Sequence, residues 1–486
     1  MPKEEVFHLH PHGWETDPDE ERYKVSTLDY LTPCTYNNYA LFFRLDDAEK
    51  SKAATVFKAG LERTLSQTRH LCGTIEKDTE GGHFFVKKQN STVRFVVQWL
   101  DADGPEYPSL DDIEKAHFSP RILGNLNRWS VPPMTYGEKP EAHPDAHPDA
   151  HPVVAAYKAN FVRGGLVFIM HHHHYANDVM GWVRLTQQLA ENCRAVFLND
   201  ETAFPPWDTA CLDRARLTKP EVQEDAKIDG PPPPQRHPAH TVAVSLLFHL
   251  PKSKAAALKQ LAAQTDGSWV STYDAFSAFI WRKLTRLRAP VFKPDMDAPL
   301  PWFEAVDMRR RLHSPTCPPR IQCNVMYAAM SLTAPVPQPT VAEVIEWPLP
   351  RLARYIRKLT DSVTQESLDQ TLDMVATIRN RTALSFRINS QPPMSILQTD
   401  HRDANVTEAD FGFAKPVTYR HLLDCVTEGV IIIYPPRSAA PGSDEGCEFA
   451  IAYEKRLAQE LIDDPEWKEY FEYRGVDAAD AGHYLN

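Results

Sequence analysis

The chain has 486 residues, of which 42% are hydrophobic, 10% aromatic and 24% charged, an ordinary globular composition with ample material for buried cores. Its formal charge of -12 argues against nucleic acid or an anionic membrane as the main partner, and leaves room for a local basic pocket. Eight cysteines stand singly without a CxxC pair, the pattern of reduced thiols in a cytoplasmic protein.

The opening MPKEEVFHLHPHGWETDPDEERYK is charged and lacks an apolar core, so no secretory signal is expected. No apolar run approaches the length that spans a bilayer. KAATVFKAGLERTLSQ (Lys52 to Gln67) carries apolar residues at helical spacing, and HFFVKK and VRFVVQWL read as a strand pair. The tandem AHPDAHPDAHP (Ala142 to Pro152) has no large apolar residue. A proline after each of His143, His147 and His151 blocks the helix that would gather them on one face, so a disordered surface loop near 140–152 is expected rather than a metal site. GGLVFIM (Gly164 to Met170) is an apolar strand leading through four histidines into the amphipathic helix DVMGWVRLTQQLAENCRAVF.

GPPPPQRHP then marks a linker. Beyond it HTVAVSLLFHL reads as a strand, SKAAALKQLAAQ and STYDAFSAFIWRKLTRLR as helices, and FEAVDMRRRL as a strand entering a basic turn. GVIIIYPP and EFAIAYE are strands, and AQELIDDPEWKEYF closes as a helix. Strands and helices alternate on both sides of the linker, which predicts an α/β protein of two lobes. The expected division is 1–215, a linker at 216–240, and 241–486.

Two motifs carry chemistry. MHHHHYANDVMGW sets His174 four residues before Asp178, which directly precedes the helix through Trp182, Leu185 and Leu189 and so occupies its N-cap position. His174 then falls on a strand-to-helix turn, where a scaffold exposes a side chain at a cleft, and an imidazole suits proton abstraction at neutral pH. With 20 histidines, about one His-x-x-x-Asp spacing arises by chance, so the setting carries more weight than the spacing. Downstream, TEADFGFAKPVTYR contains a DFG triplet at Asp410 to Gly412, but no Gly-rich phosphate loop, VAIK-type lysine or HRD loop accompanies it, which excludes a kinase.

Together the two motifs resemble those of the BAHD acyltransferase family, an HxxxDG near mid-chain and a DFGWGKP near the C-terminus. VSTLDYLTP (Val25 to Pro33), STYDAFSAFIW (Ser271 to Trp281) and VDMRRRL (Val306 to Leu312) followed by Cys323-Asn324 resemble further family segments in the family's order, closest to fungal secondary-metabolism members. The chain departs from the pattern at Val179 and Cys323, where glycine is usual, at Phe413 and Ala414 in DFGWG, and at His401, where tryptophan is often found.

The resemblance implies two chloramphenicol-acetyltransferase-like lobes with an interlobe channel. It implies acyl transfer from acyl-CoA to a hydroxyl or amine of a small molecule, with His174 as general base and neither a metal nor a tightly bound cofactor. Asp178, Asp410 and Thr399 complete the catalytic candidates. By the resemblance Asp178 pairs with Arg309, Asp410 and Gly412 join the lobes, and Thr399 donates a hydrogen bond near the oxyanion. Ser271 and Thr272 at a helix start, and Lys259, would meet the coenzyme; a solvated helix lysine is the plain alternative for Lys259. A monomeric cytoplasmic enzyme is expected. Two other functions remain open at this point: a pericyclase, cyclase or binding scaffold on the same fold, or a condensation-type enzyme using carrier-protein thioesters.

Overall fold

A computed structural model describes residues 3–79, 81–101, 106–132, 134, 146–330, 336–423, 426–437 and 442–479. The first half contains β1 (Lys3–Leu9), β2 (Glu20–Lys24), β3 (Tyr36–Arg44), β4 (Thr74–Lys77), β5 (His83–Lys88), β6 (Val93–Trp99), β7 (Ala155–Val162) and β8 (Gly165–His173). Its helices are α1 (Lys50–Gln67), α2 (Leu110–Lys115) and α3 (Val179–Leu198). The second half runs through β9 (Ala243–Leu250), α4 (Lys252–Leu261), α5 (Thr272–Phe292), β10 (Trp302–Asp307) and β11 (Met326–Met330). Then come α6 (Val341–Glu346), α7 (Leu349–Asp361), α8 (Gln365–Ala376), β12 (Ile396–Asp400), β13 (Pro416–His421), β14 (Val430–Tyr434) and β15 (Cys447–Glu454). The chain closes with α9 (Ala458–Asp463), α10 (Pro465–Tyr470) and β16 (Glu472–Ala479).

Among the described residues the strands form three sheets. One is ordered β1-β6-β7-β8-β3-β13, the second β11-β10-β12-β14-β15-β9-β16, and a small third is β2-β5-β4. The two larger sheets each carry a hydrophobic core, one around Phe57, Phe168, Trp182 and Leu189, the other around Phe279, Trp281, Trp302 and Ile356. The fold is therefore α/β with two lobes. One strand breaks the division expected at the proline linker: β13, from the C-terminal half, pairs antiparallel with β3 and completes the first lobe's sheet.

The first lobe presents its reactive turn through one tight helix pair. α1 and α3 pack face to face, with Gln188 donating to Gln67 (2.6 Å) and Asn192 to Thr64 (2.9 Å) inside the interface. Asp178 caps α3, accepting from the Gly181 N–H at 2.7 Å, which satisfies one of the orphan donors of the first turn.

Three expectations need correction. HFFVKK and VRFVVQW are not partners: β5 pairs with β2 and β4, whereas β6 pairs with β1 and β7. Both read as strands, but the partner is chosen by distant segments. The closing helix is two helices, because Asp464 caps the second and Pro465 occupies its first turn. The tandem AHPD segment is not a free loop in its second copy, while residues 142–145 lie outside the described residues. Ala146 is buried among Tyr36, Val96 and Met134, and its carbonyl accepts from His173 Nε2 at 2.7 Å. His83 Nε2 lies 2.9 Å from Asp149, and His151 meets Glu76. A buried histidine needs an acceptor, and a chain of small residues can approach closely enough to supply one.

Candidate active site

His174 follows β8 directly, and backbone bonds fix the turn around it. Its N–H donates to the Thr35 carbonyl on the adjacent chain segment, and its own carbonyl accepts from Asn324 Nδ2, both at 2.8 Å. The same Asn324 amide reaches Asp29 (2.8 Å), a fully buried carboxylate that also accepts from Arg214 (2.8 Å) and the Ser26 N–H (2.7 Å). Arg214 spends its other donor positions on the carbonyls of Tyr175 (3.1 Å) and Ala176 (2.6 Å). The loop carrying His174 is thus tied at consecutive residues, and Asn324 makes the tie from the second half of the chain.

Asp178 is held by a second network. Arg309 donates to both of its oxygens (3.0 and 2.8 Å), the Val325 N–H adds a bond at 2.8 Å, and Gly181 contributes the cap. Burial opposes ionisation of Asp178, but Arg309 and the two N–H donors outweigh it and hold the carboxyl below the usual aspartate range. Arg309 also donates to Asp307 (3.0 Å) and the Cys323 carbonyl (2.7 Å). A Cβ at Gly181 would overlap the Gln322 carbonyl, so close backbone approach puts the required glycine there. Val179, at the family's usual glycine position, is the first residue of α3 and lines the cavity.

That cavity, about 280 Å³, lies between the lobes. His174, Asn37 and Tyr39 line it from the first lobe, and Ala305, Thr399 and Ile432 from the second. Burial lowers the His174 pKa from the ordinary histidine value, while its own carbonyl, Asp178, Asp29 and Asn324 act the other way. The net result is a ring neutral at pH 7. His401 and His421 share the cavity, and burial pushes them down to about 4 and about 3.

The sequence-derived candidates separate. His174, Asp178, Arg309 and Thr399 line the cavity. Asp410, set among the catalytic candidates, does not: it accepts from the Gly412 N–H (2.9 Å) and forms a half-exposed pair with Arg194 at 3.5 Å on α3. The segment it starts is a packing element. Phe411 is fully buried against Phe43 and Phe57, and Gly412 adopts φ +87° where a Cβ would stand 2.6 Å from Phe197 Cβ. Phe413 fills the tryptophan position by packing on the same two rings.

Ser271, Thr272 and Lys259 stand outside the cavity, around the start of α5. The Ser271 hydroxyl caps α5 by accepting from Asp274 N (3.1 Å) and also accepts from Arg357 (3.0 Å). Lys259 Nζ and the Arg357 guanidinium both lie over the exposed Trp269 ring, at 5.6 and 4.9 Å. Asp29, Arg214 and Asn324 escaped sequence reasoning as site residues. Two of them sit in quoted family-like segments, but nothing local shows that they meet.

An imidazole held from both lobes, at an interlobe cavity that also contains the Thr399 hydroxyl, suits acyl transfer in a two-lobed protein. The Transferase family matches residues 15–456, and the chain belongs to that family, the BAHD-type acyltransferases. The acetyltransferase FGR3 of Gibberella zeae is 69% identical over 480 residues, 98% of this chain and 95% of its own. The trichothecene 3-O-acetyltransferase TRI101 of Fusarium sporotrichioides is 25% identical over 470 residues, 90% of this chain and 94% of its own. The crystal structure of TRI101 of F. graminearum complexed with coenzyme A and T-2 mycotoxin superposes with a TM-score of 0.73 at 21% identity, covering 94% of this chain and 100% of that one. No helix among the described residues is long and apolar enough to cross a membrane.

Proposed function

We propose that this protein moves an acyl group, acetyl first among them, from acyl-CoA to a hydroxyl of a small secondary metabolite, acting as a cytoplasmic monomer without a tightly bound cofactor. The observation that carries the reading is His174: a neutral ring at the interlobe cavity, anchored through its own N–H and carbonyl. As a neutral ring it keeps one unprotonated nitrogen, which takes the proton of the acceptor hydroxyl. The acceptor oxygen adds to the thioester carbonyl, Thr399 donates to the oxyanion, and collapse restores C=O and expels thiolate, which takes the proton back from His174. No covalent acyl-enzyme is needed.

A hydroxyl acceptor is favoured over a cationic amine by the cavity's charges. Its aspartates at 178, 307 and 400 are each engaged by Arg309 or Arg402, so none stands ready for an ammonium. Asp178 acts through position, locking the helix start to the second lobe. Asp410 and Gly412 serve the lobe crossing. Lys259, Ser271 and Thr272 supply the coenzyme's phosphate and pantetheine contacts, with Arg357 beside them. The names of the relatives support the acetyl donor and the metabolite acceptor.

The test is thiol release from a panel of acyl-CoAs against hydroxylated and aminated small molecules. Turnover confined to amines overturns the hydroxyl assignment. The absence of both turnover and any coenzyme A-induced rise in melting temperature favours a pericyclase or a carrier-protein enzyme. The acid limb of kcat/KM falls with loss of the neutral base, so its midpoint is expected below the ordinary histidine value of about 6.5.

A further inference from the structure

Resting on the acyl-transfer reading, the structure assigns a role to a residue that the reading leaves idle: we propose that His401 is a positioning residue that fixes which way the Thr399 hydroxyl points its proton. His401 Nε2 lies 3.0 Å from Thr399 Oγ1, and each could in principle be the donor. Nδ1 decides between them. His401 is 4% exposed, and its Nδ1 is buried with no hydrogen-bond partner among the described residues. A neutral imidazole carries one N–H. If the proton sat on Nδ1 it would be an orphaned buried donor, an arrangement rarer in proteins than an unsatisfied acceptor. The proton therefore sits on Nε2, and His401 donates to Thr399 Oγ1.

The consequence reaches the cavity. With its oxygen accepting from His401, the Thr399 hydroxyl has no reason to turn its own hydrogen toward the histidine, and that hydrogen is free to point at the space shared with His174. Thr399 sits in β12 opposite Ala305 and Ile432, both of which line the same space, so its strand position is fixed and only the hydroxyl rotor needs setting. The His401 ring is itself held among the rings of Tyr419 and Tyr434, 6.4 and 6.3 Å away between centroids. Burial keeps the imidazole neutral across the working pH range, so the tautomer is not lost to protonation. His174 then accepts a proton and His401 aims one.

Two measurements test this. Histidine-labelled protein read by two-bond nitrogen–proton correlations, with His401→Gln to assign the signals, should show His401 protonated on Nε2 in the free protein. An Nδ1-protonated His401 overturns the proposal, whatever the enzyme transfers. For the rate, thiol release from acetyl-CoA is followed with 1-butanol as a small-alcohol probe. His401→Phe, which keeps the ring and removes the donor, should lower kcat about tenfold with KM for acetyl-CoA nearly unchanged. His401→Gln, which replaces Nε2–H with an amide N–H, should recover most of that loss. Thr399→Val should cost about a hundredfold, as removal of an oxyanion donor does. Adding His401→Phe to Thr399→Val should cost nothing further. Independent, multiplying losses overturn the relay. If the wild-type protein releases no thiol, the acyl-transfer reading falls, and the tautomer experiment still decides whether His401 aims Thr399.

Discussion

The turn at His174 and the segment from Asp410 to Pro416 carry the two motifs by which this chain is recognised, yet they are built in opposite ways. The turn at His174 is tied down by polar contacts. Asp29, Arg214, Asn324 and Arg309 place charged or amide groups on the backbone and on Asp178 from distant parts of the chain. Just after Asp410 the contacts are apolar, with Phe411 and Phe413 set into Phe43 and Phe57. The difference follows from what each must do. A base has to be held in one orientation, which directional bonds achieve. A chain passing from one lobe to the other has to exclude water, which rings do well. The shared aspartate is misleading, since Asp178 is a buried anchor and Asp410 a surface pair.

Mutations can break or sharpen this contrast. The largest effect is expected for His174→Ala, with turnover falling by roughly 10²- to 10⁴-fold while melting temperature and coenzyme A binding stay near wild type. A protein that keeps a tenth of its turnover would show that His174 is not the base. Next comes Asp178→Asn. Removing one charge of a buried pair leaves Arg309 with only the more exposed Asp307 as its anion and should cost about 3 kcal/mol of stability, visible as a lower denaturation midpoint. Turnover should fall as the helix start loosens. Neutralising Arg309 in the same protein should relieve part of the stability loss; strict additivity would mean that Asp178 acts on His174 rather than through the pair.

Gly412→Ala ranks third. Its φ of +87° and the nearness of Phe197 predict a loss of about 1 to 3 kcal/mol, seen in thermal melting, with turnover unaffected well below the transition. The smallest effect belongs to Asp410→Asn. The pair with Arg194 is half exposed, and such pairs contribute about 1 kcal/mol or less. The Gly412 N–H can still meet the asparagine carbonyl. A tenfold loss of turnover in this variant would place Asp410 in the chemistry and erase the contrast.

What the sequence revealed, and what it concealed, divides along the same line. Hydrophobic period was enough to find α1, α3, α4 and α5 and the strands β8, β9, β14 and β15, because each buries a face regardless of its neighbours. It could not tell that β5 and β6 belong to different sheets, since pairing is set by β1, β2 and β7 far away in the chain. His174 and Asp178 stood out through their strand–turn–helix setting. Asp29 and Asn324, separated by 295 positions, meet only in the folded molecule, and nothing local in either segment shows that they meet. The AHPD segment misled for a related reason. Composition without large apolar residues signals disorder on average, but Ala146 answers the need of one particular buried histidine.

One strand ties the two halves of the chain together in time as well as in space. Five of the six strands in the first sheet come from the first 173 residues, but β13, which covers the edge of β3 from Tyr39 to Phe43, is made only at residues 416–421. While the ribosome is still adding the second half, the growing chain carries an open edge that includes Leu41, Phe42 and Phe43. A bare apolar edge is a template for pairing with another chain. A polypeptide ending in the proline linker should therefore self-associate rather than behave as a free-standing half, and co-expressing the remainder should rescue it only if β13 is included.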